Sequence, residues 1–212
     1  MKNKREYNNT YPSVTTALGV LRKIGLENWF KFTPIKQINE ESERGKLIGS
    51  QIHEAIHDYI ETGQVKVSTQ YAEEVITALK GFMQFRKEHP EFKLRNAEIA
   101  LTSEKYKYNG TLDCLAEKET LVILDWKTSK AKDKIAPPIY DEYLYQVAAY
   151  VYAYNEVNNT AIDRAYILAV AKDKIACNFY EMSKQEIDDC FNEVFLPALK
   201  IYNYQRRKNA KG

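Results

Sequence analysis

The segment GTLDCLAEKETLVILDWKTSK, residues 110–130, limits what the chain can fold into more than any other. Two apolar stretches flank the polar run Glu117-Lys118-Glu119-Thr120, the pattern of a β-hairpin. Side chains alternate faces along a strand, so Asp125 and Lys127 share one face and Val122, Leu124 and Trp126 the other. Asp113 and Asp125 stand equally far from Glu119 in the sequence. A hairpin symmetric about Glu119 therefore makes the two aspartates cross-strand neighbours, with Cβ atoms on the order of 5 Å apart. Like charges so placed destabilise a sheet and need compensation. A divalent cation supplies it, because carboxylate oxygens are hard ligands and Mg²⁺ takes one or two of them beside water and phosphate oxygens. A lysine two residues on can stabilise phosphate charge or lower the pKa of an attacking water. The alternative is an exposed Asp/Lys face closed by a cross-strand ion pair. Asp125 ends the apolar run Leu121-Val122-Ile123-Leu124, which aims its charge at a sheet edge or cleft.

Helical patterns precede this hairpin. Ser13 can cap a first helix over residues 13–25, and a short helical piece covers 26–31 before Pro34. Longer helices are expected over 41–62, with Gly63 as stop, and over 69–88, ending at Pro90. Strands follow at 96–103, 110–116 and 121–127. After Pro137-Pro138 the pattern predicts a helix over 139–157, then a hairpin at 164–171 and 175–180. Ser183-Lys184-Gln185-Glu186 reads as a capping box opening a last helix, and QRRKNAKG as a basic, frayed tail. This order reads as α+β, a central sheet flanked by helices. One domain over 1–212 is expected: a helical part (1–91), a sheet core (92–182) and a C-terminal helix (183–212).

Composition narrows the function classes. With 31 basic and 29 acidic side chains the formal net charge is only +2, so binding to nucleic acid would need local patches. The 16 tyrosines suit half-buried packing and base stacking alike. Cys114, Cys177 and Cys190 form no CxxC and no even framework, which argues for a reducing compartment. No apolar run approaches membrane-spanning length and no leader is evident, so a cytoplasmic protein is expected.

The order and spacing of Asp113 and Asp125-Trp126-Lys127, followed by YLYQVAAYVYAYN, resemble the PD-(D/E)XK nuclease superfamily, and within it the RecB-type exonuclease branch with its phage and mitochondrial members. The resemblance implies a restriction-endonuclease-like core with a mixed sheet. It implies Asp113 and Asp125 as metal ligands, Lys127 as the catalytic lysine, and a carbonyl ligand from Trp126. Glu98 matches the auxiliary acid, with Glu104 as rival. Gln146 and Tyr150 match a Q-x-x-x-Y element and lie on one helical face; core packing is the competing role for Tyr150. The opening YPSVTTALGVLRKIGLENW is also similar to phage nucleases, bringing in Ser13 and Thr15 as nucleic-acid contacts. The implied cofactor is Mg²⁺ or Mn²⁺. Three scattered cysteines do not match the four of iron–sulfur relatives, so no cluster is expected. The implied partner is DNA, single-stranded or with free ends, degraded from an end in a bacterial or phage-infected cell. Stacking on tyrosines and a groove lined by Lys130, Lys132 and Lys134 would bind it, although such a lysine run is also the pattern of a solvated loop.

A second motif competes. HEAIH, residues 53–57, matches the H-E-x-x-H of zinc proteases, with His53 and His57 as ligands, Glu54 as base and Glu74 at a spacing for a third ligand. Ile48, Ile52, Ala55, Ile56 and Tyr59 define the buried helical face. His53 then lies on its flank and His57 further toward solvent. A zincin needs both histidines at one site. The resembled family needs one, four residues after a glycine, and Gly49-x-x-x-His53 fits. A nuclease-fold protein that binds DNA without cutting is the third reading; the complete Asp113/Asp125/Lys127 set argues against it.

Overall fold

The computed structural model describes residues 7–22, 31–131 and 135–210. Its centre is a five-stranded sheet in the order β1-β2-β3-β4-β5, formed by β1 (Lys93–Ser103), β2 (Tyr108–Lys118), β3 (Thr120–Ser129), β4 (Ala165–Ala171) and β5 (Cys177–Met182). Only β3 and β4 run parallel; the other neighbours are antiparallel. A parallel pair needs a crossover, and helix α4 (Asp141–Asn158) provides it.

Helices cover both faces. Helices α2 (Ile35–Thr62) and α3 (Ala72–Glu88) bury Ile48, Ile52, Ile56, Phe82 and Phe85 against Leu124, Trp126, Leu168 and Val170. On the other face, α1 (Val14–Leu18), α4, α5 (Lys184–Asp189) and α6 (Leu196–Asn209) pack on Leu112, Leu115, Ile123 and Ile167. A π-helical stretch, Cys190–Phe195, joins α5 to α6 and turns Phe191 and Phe195 into the core. This is the expected α+β architecture with a mixed central sheet.

Several element limits differ from the sequence-based expectation, each for a local reason. Helix α1 stops at Leu18, where the Gly19 N–H reaches the carbonyls of Thr15 and Thr16 at 3.1 and 3.2 Å. Residues 19–22, expected to continue that helix, are turn, bend and irregular chain, while 23–25 and most of the piece at 26–31 lie outside the described residues. Helix α2 starts at Ile35 rather than 41. Its first turns are polar, so apolar periodicity misses them. They are held by good helix formers and pairs such as Gln37 Nε2–Glu41 Oε1 at 2.9 Å. The β2–β3 ladder continues to Lys118↔Thr120, so the expected four-residue turn shrinks to Glu119 alone, at φ +61°. Ser183 caps α5 through the Glu186 N–H, while the Glu186 carboxylate accepts the Tyr180 hydroxyl instead of closing the box. The basic tail is helical through Asn209.

One glycine is set by close approach. A Cβ on Gly110 would stand 2.7 Å from Cε1 and 2.9 Å from Cδ1 of the Tyr150 ring. Gly110→Ala should therefore lower stability by about 1–3 kcal/mol. In a Tyr150→Ala background most of that cost should vanish, a coupling that a double-mutant cycle on thermal or denaturant unfolding measures.

Candidate active site

The β2–β3 pairing ends at Cys114↔Leu124. Asp113 and Asp125 are the next residues of that register, at the point where the two strands part and β3 pairs only with β4. The symmetry about Glu119 holds, but the aspartates are not a paired rung; they flank the opening. The alternation of faces on β2 also breaks there. Leu112 packs toward α4 whereas Cys114, two residues on, packs toward α2. Across the strand pair, the register Ala97↔Cys114 and Ile99↔Leu112 sets Glu98 opposite Asp113, and Glu98 has φ +56°. A left-handed glutamate within a strand is strained backbone of the kind that concentrates at functional sites.

This break lets Asp113 serve both sides of the sheet edge. Its Oδ2 accepts the Trp126 N–H at 2.9 Å, replacing the lost rung. Its Oδ1 lies 3.3 Å from His53 Nδ1. His53, Glu98 and Asp113 each bring a ligand atom within 4.8 Å of the others. Asp125 is buried and stands apart from that trio, with Oδ2 at 2.6 Å from Lys127 Nζ. Among the described residues, neither Asp125 oxygen has an aligned hydrogen-bond donor. Lys127 Nζ also sits over the Tyr143 ring at 5.6 Å.

The electrostatics follow from burial and proximity. Burial raises the Asp125 carboxyl, Lys127 opposes it and Asp113 adds to it; the result is a shift from 3.8 up to about 7. Asp113 is also opposed by burial, but His53, Lys127 and the Trp126 N–H hold it below the usual carboxylate range. Burial alone would lower His53, and the Asp113 carboxylate outweighs it to raise the imidazole above 6.5. An imidazole, two carboxylates beside it and a third buried carboxylate short of donors form a donor set that fits a divalent cation.

The other expected site residues divide clearly. Glu104 is exposed and bonds Tyr11 and Lys107, outside the trio. Gln146 Nε2 donates to the Tyr150 hydroxyl at 2.5 Å, and Tyr150 is buried against Gly110. Ser13 caps α1, with Thr15 beside it, and both line a cavity with Tyr7, Tyr11, Thr111 and Tyr150. Lys130 is exposed at the end of β3; Lys132 and Lys134 lie outside the described residues. His57 contacts its neighbour Asp58 at 3.6 Å and does not join the trio. Exposure does not separate the two histidines, whose side chains are 26% and 32% exposed; the direction they face does. Glu74 pairs with Arg44, so the three zincin candidates do not converge. Sequence reasoning missed Tyr143, whose only signal is its place two residues into the helix that follows the Lys127 strand.

The PD-(D/E)XK nuclease superfamily model matches residues 70–196, which contain both aspartates, Lys127 and the whole sheet. The chain belongs to the PD-(D/E)XK nuclease superfamily. It is 25% identical over 222 residues to mitochondrial genome maintenance exonuclease 1 of Xenopus tropicalis, covering 96% of this chain and 60% of that protein, so it spans under two thirds of that relative's length. Solved structures similar to it include a phage-related exonuclease from Haemophilus somnus 129PT, 13% identical, with 74% of this chain and 82% of that one covered and a TM-score of 0.43. Another is the alkaline exonuclease of Laribacter hongkongensis in complex with dAMP, 13% identical, with 95% and 94% covered and a TM-score of 0.40. Among the described residues no helix is long and apolar enough to cross a membrane.

The raised Asp125 pKa has a stability consequence in metal-free protein. The folded state holds this proton more tightly than the unfolded chain, so the contribution is full below about pH 4 and is lost as pH rises through about 7. His53, raised as well, loses its contribution in the same direction. In EDTA, the wild-type Tm should fall between pH 5 and pH 8, and Asp125→Asn should flatten that fall. Parallel Tm–pH curves for the two proteins would count against this electrostatic assignment.

Proposed function

We propose that this chain is a metal-dependent exodeoxyribonuclease that hydrolyses phosphodiester bonds of DNA from an end, with single strands as the preferred substrate. The observation that carries the reading is the buried Asp113–Asp125 opening, with His53 and Lys127 on its two sides. His53, Asp113, Asp125 and the Trp126 carbonyl would hold Mg²⁺ or Mn²⁺, with Glu98 as auxiliary acid. When bound, such an ion supplies positive charge to the phosphoryl oxygens and lowers the pKa of a coordinated water.

The chain's own groups do the rest. Lys127 sets its ammonium beside Asp125, where it can stabilise charge developing on the scissile phosphate. Tyr143 walls that ammonium on the α4 side. The Gln146 amide orients the Tyr150 hydroxyl along the crossover helix, and the Tyr150 ring packs on Gly110, one residue from Thr111, at the cavity lined by Ser13 and Thr15, which we read as the nucleic-acid side of the site. The exonuclease name of the Xenopus tropicalis relative supports action at ends. The chain acts in this reading as one nuclease domain, in DNA recombination, repair or replication. The cytoplasm of a bacterial or phage-infected cell suits its three unpaired thiols, Cys114, Cys177 and Cys190.

Three measurements check it. Lys127→Ala should lower kcat by about 10²-fold or more while thermal melting stays near wild type. End-labelled linear single strands should be degraded with Mn²⁺, and circular ones should resist; equal degradation of circles would make the enzyme an endonuclease. His53→Ala should cost at least about tenfold in cleavage and more of the Mn²⁺ preference, because imidazole suits Mn²⁺ better than Mg²⁺. His57→Ala should change little; an equal loss would return weight to the HEAIH motif as a zinc site.

A further inference from the structure

Helix α2 crosses the parallel strand pair on a stripe of small residues. A Cβ on Gly49 would stand 3.3 Å from Thr128 Oγ1, and one on Gly45 3.8 Å from Lys172 Nζ. His53, the next residue of the same row, lies with its ring centroid 6.3 Å from that of Trp126. Four helical residues advance about 6 Å and two strand residues about 6.6 Å, so Gly45, Gly49 and His53 keep step with the strand beneath. The row runs from His53 toward the C-terminal ends of β3 and β4, and the missing Cβ at Gly49 lets the helix close down on Thr128 while Gly45 faces the Lys172 ammonium.

That end gathers three cations, Lys130, Lys172 and Arg44, around two carboxylates, Glu74 and Asp173. The parallel register closes at Ser129↔Ala171, and the Lys172 N–H bonds the Ser129 carbonyl at 3.0 Å. Lys130 and Lys172 therefore follow side by side. Arg44 adds a third cation from α2 and is paired with Glu74, while the Asp173 carboxylate is taken by the Ala131 N–H at 2.9 Å. Lys130 and Lys172 make no ion pair among the described residues. Lys172 is half-buried, and burial, Lys130 and Arg44 push its ammonium below its ordinary value against the opposing pull of Glu74 and Asp173. Adjacent like charges weaken a sheet end unless an anion meets them. The crevice beyond the carboxyl ends of parallel strands is the usual place for a ligand in α/β sheets.

We propose that Lys130 and Lys172 bind backbone phosphates of the nucleic-acid strand beyond the scissile bond, where the parallel strand pair ends beside Gly45 of α2. This deepens the nuclease reading above and rests on it. Lys172 lies beside Gly45, about 12 Å along the helix from His53, so it serves a neighbouring phosphate and not the reacting one.

The test measures binding apart from cleavage. A fluorescein-labelled single-stranded oligodeoxynucleotide is titrated in EDTA at several salt concentrations and followed by anisotropy. Lys172→Gln and Lys130→Gln should each reduce the log–log salt slope by about 0.7 and weaken binding several-fold relative to Lys80→Gln, the same charge change on α3. Gly45→Leu, which crowds the Lys172 ammonium, should weaken binding while Tm holds or rises, since leucine favours a helix where glycine does not. Slopes equal to that of Lys80→Gln, or wild-type binding without salt dependence, would overturn the proposal. Cleavage of the same oligonucleotide by wild type with Mn²⁺ is scored separately; its absence would sink the nuclease reading and leave the binding slopes to judge the lysine pair.

Discussion

Where β2 and β3 part company, the sheet gives up a rung and gains a cleft. Continuing the ladder would press Asp113 against Asp125, and both are buried. Instead Asp113 takes the Trp126 N–H that the lost rung would have used, and Asp125 turns to Lys127. The face switch between Leu112 and Cys114 and the left-handed Glu98 opposite it are the backbone cost of this arrangement. That cost is tolerable because the same strands are clamped on both faces by the packing of Trp126 and Ile123.

The site then depends on registration between a helix and a sheet. Helix α2 can bring His53 to Asp113 only if it lies close over β3, and Gly49 against Thr128 allows that approach. One row of α2 thus brings His53 to Asp113 and sets the helix close over β3. The residues proposed as metal ligands come from α2, β1, β2 and β3, elements whose cores are separately buried, so their geometry is held by packing and not by one another.

Much of this was legible in residues 110–130. The hairpin, its centre at Glu119 and the shared face of Asp125 and Lys127 follow from period-two alternation, which a half-buried strand enforces. The element order gave one central sheet flanked by helices, and its mixed character was implied by the resemblance to the nuclease superfamily. The end of the ladder did not, because pairing limits depend on where β4 draws β3 away. The polar first turns of α2 were invisible to apolar periodicity. The two histidines were separated by the helical wheel on the ground of exposure, yet they are nearly equal in exposure and differ in direction. Lys172 carried no signal at all: only the parallel register brings it beside Lys130.

The central claim is that the strand opening at Asp113 and Asp125, with His53 above it, is a divalent-cation site. Anomalous diffraction from crystals soaked in Mn²⁺ tests it most directly. The account predicts a manganese peak bounded by the His53 imidazole and the Asp113 carboxylate, absent in an Asp113→Asn crystal. A peak at His57 and Glu74, or no peak at the opening under conditions that support cleavage, would contradict it.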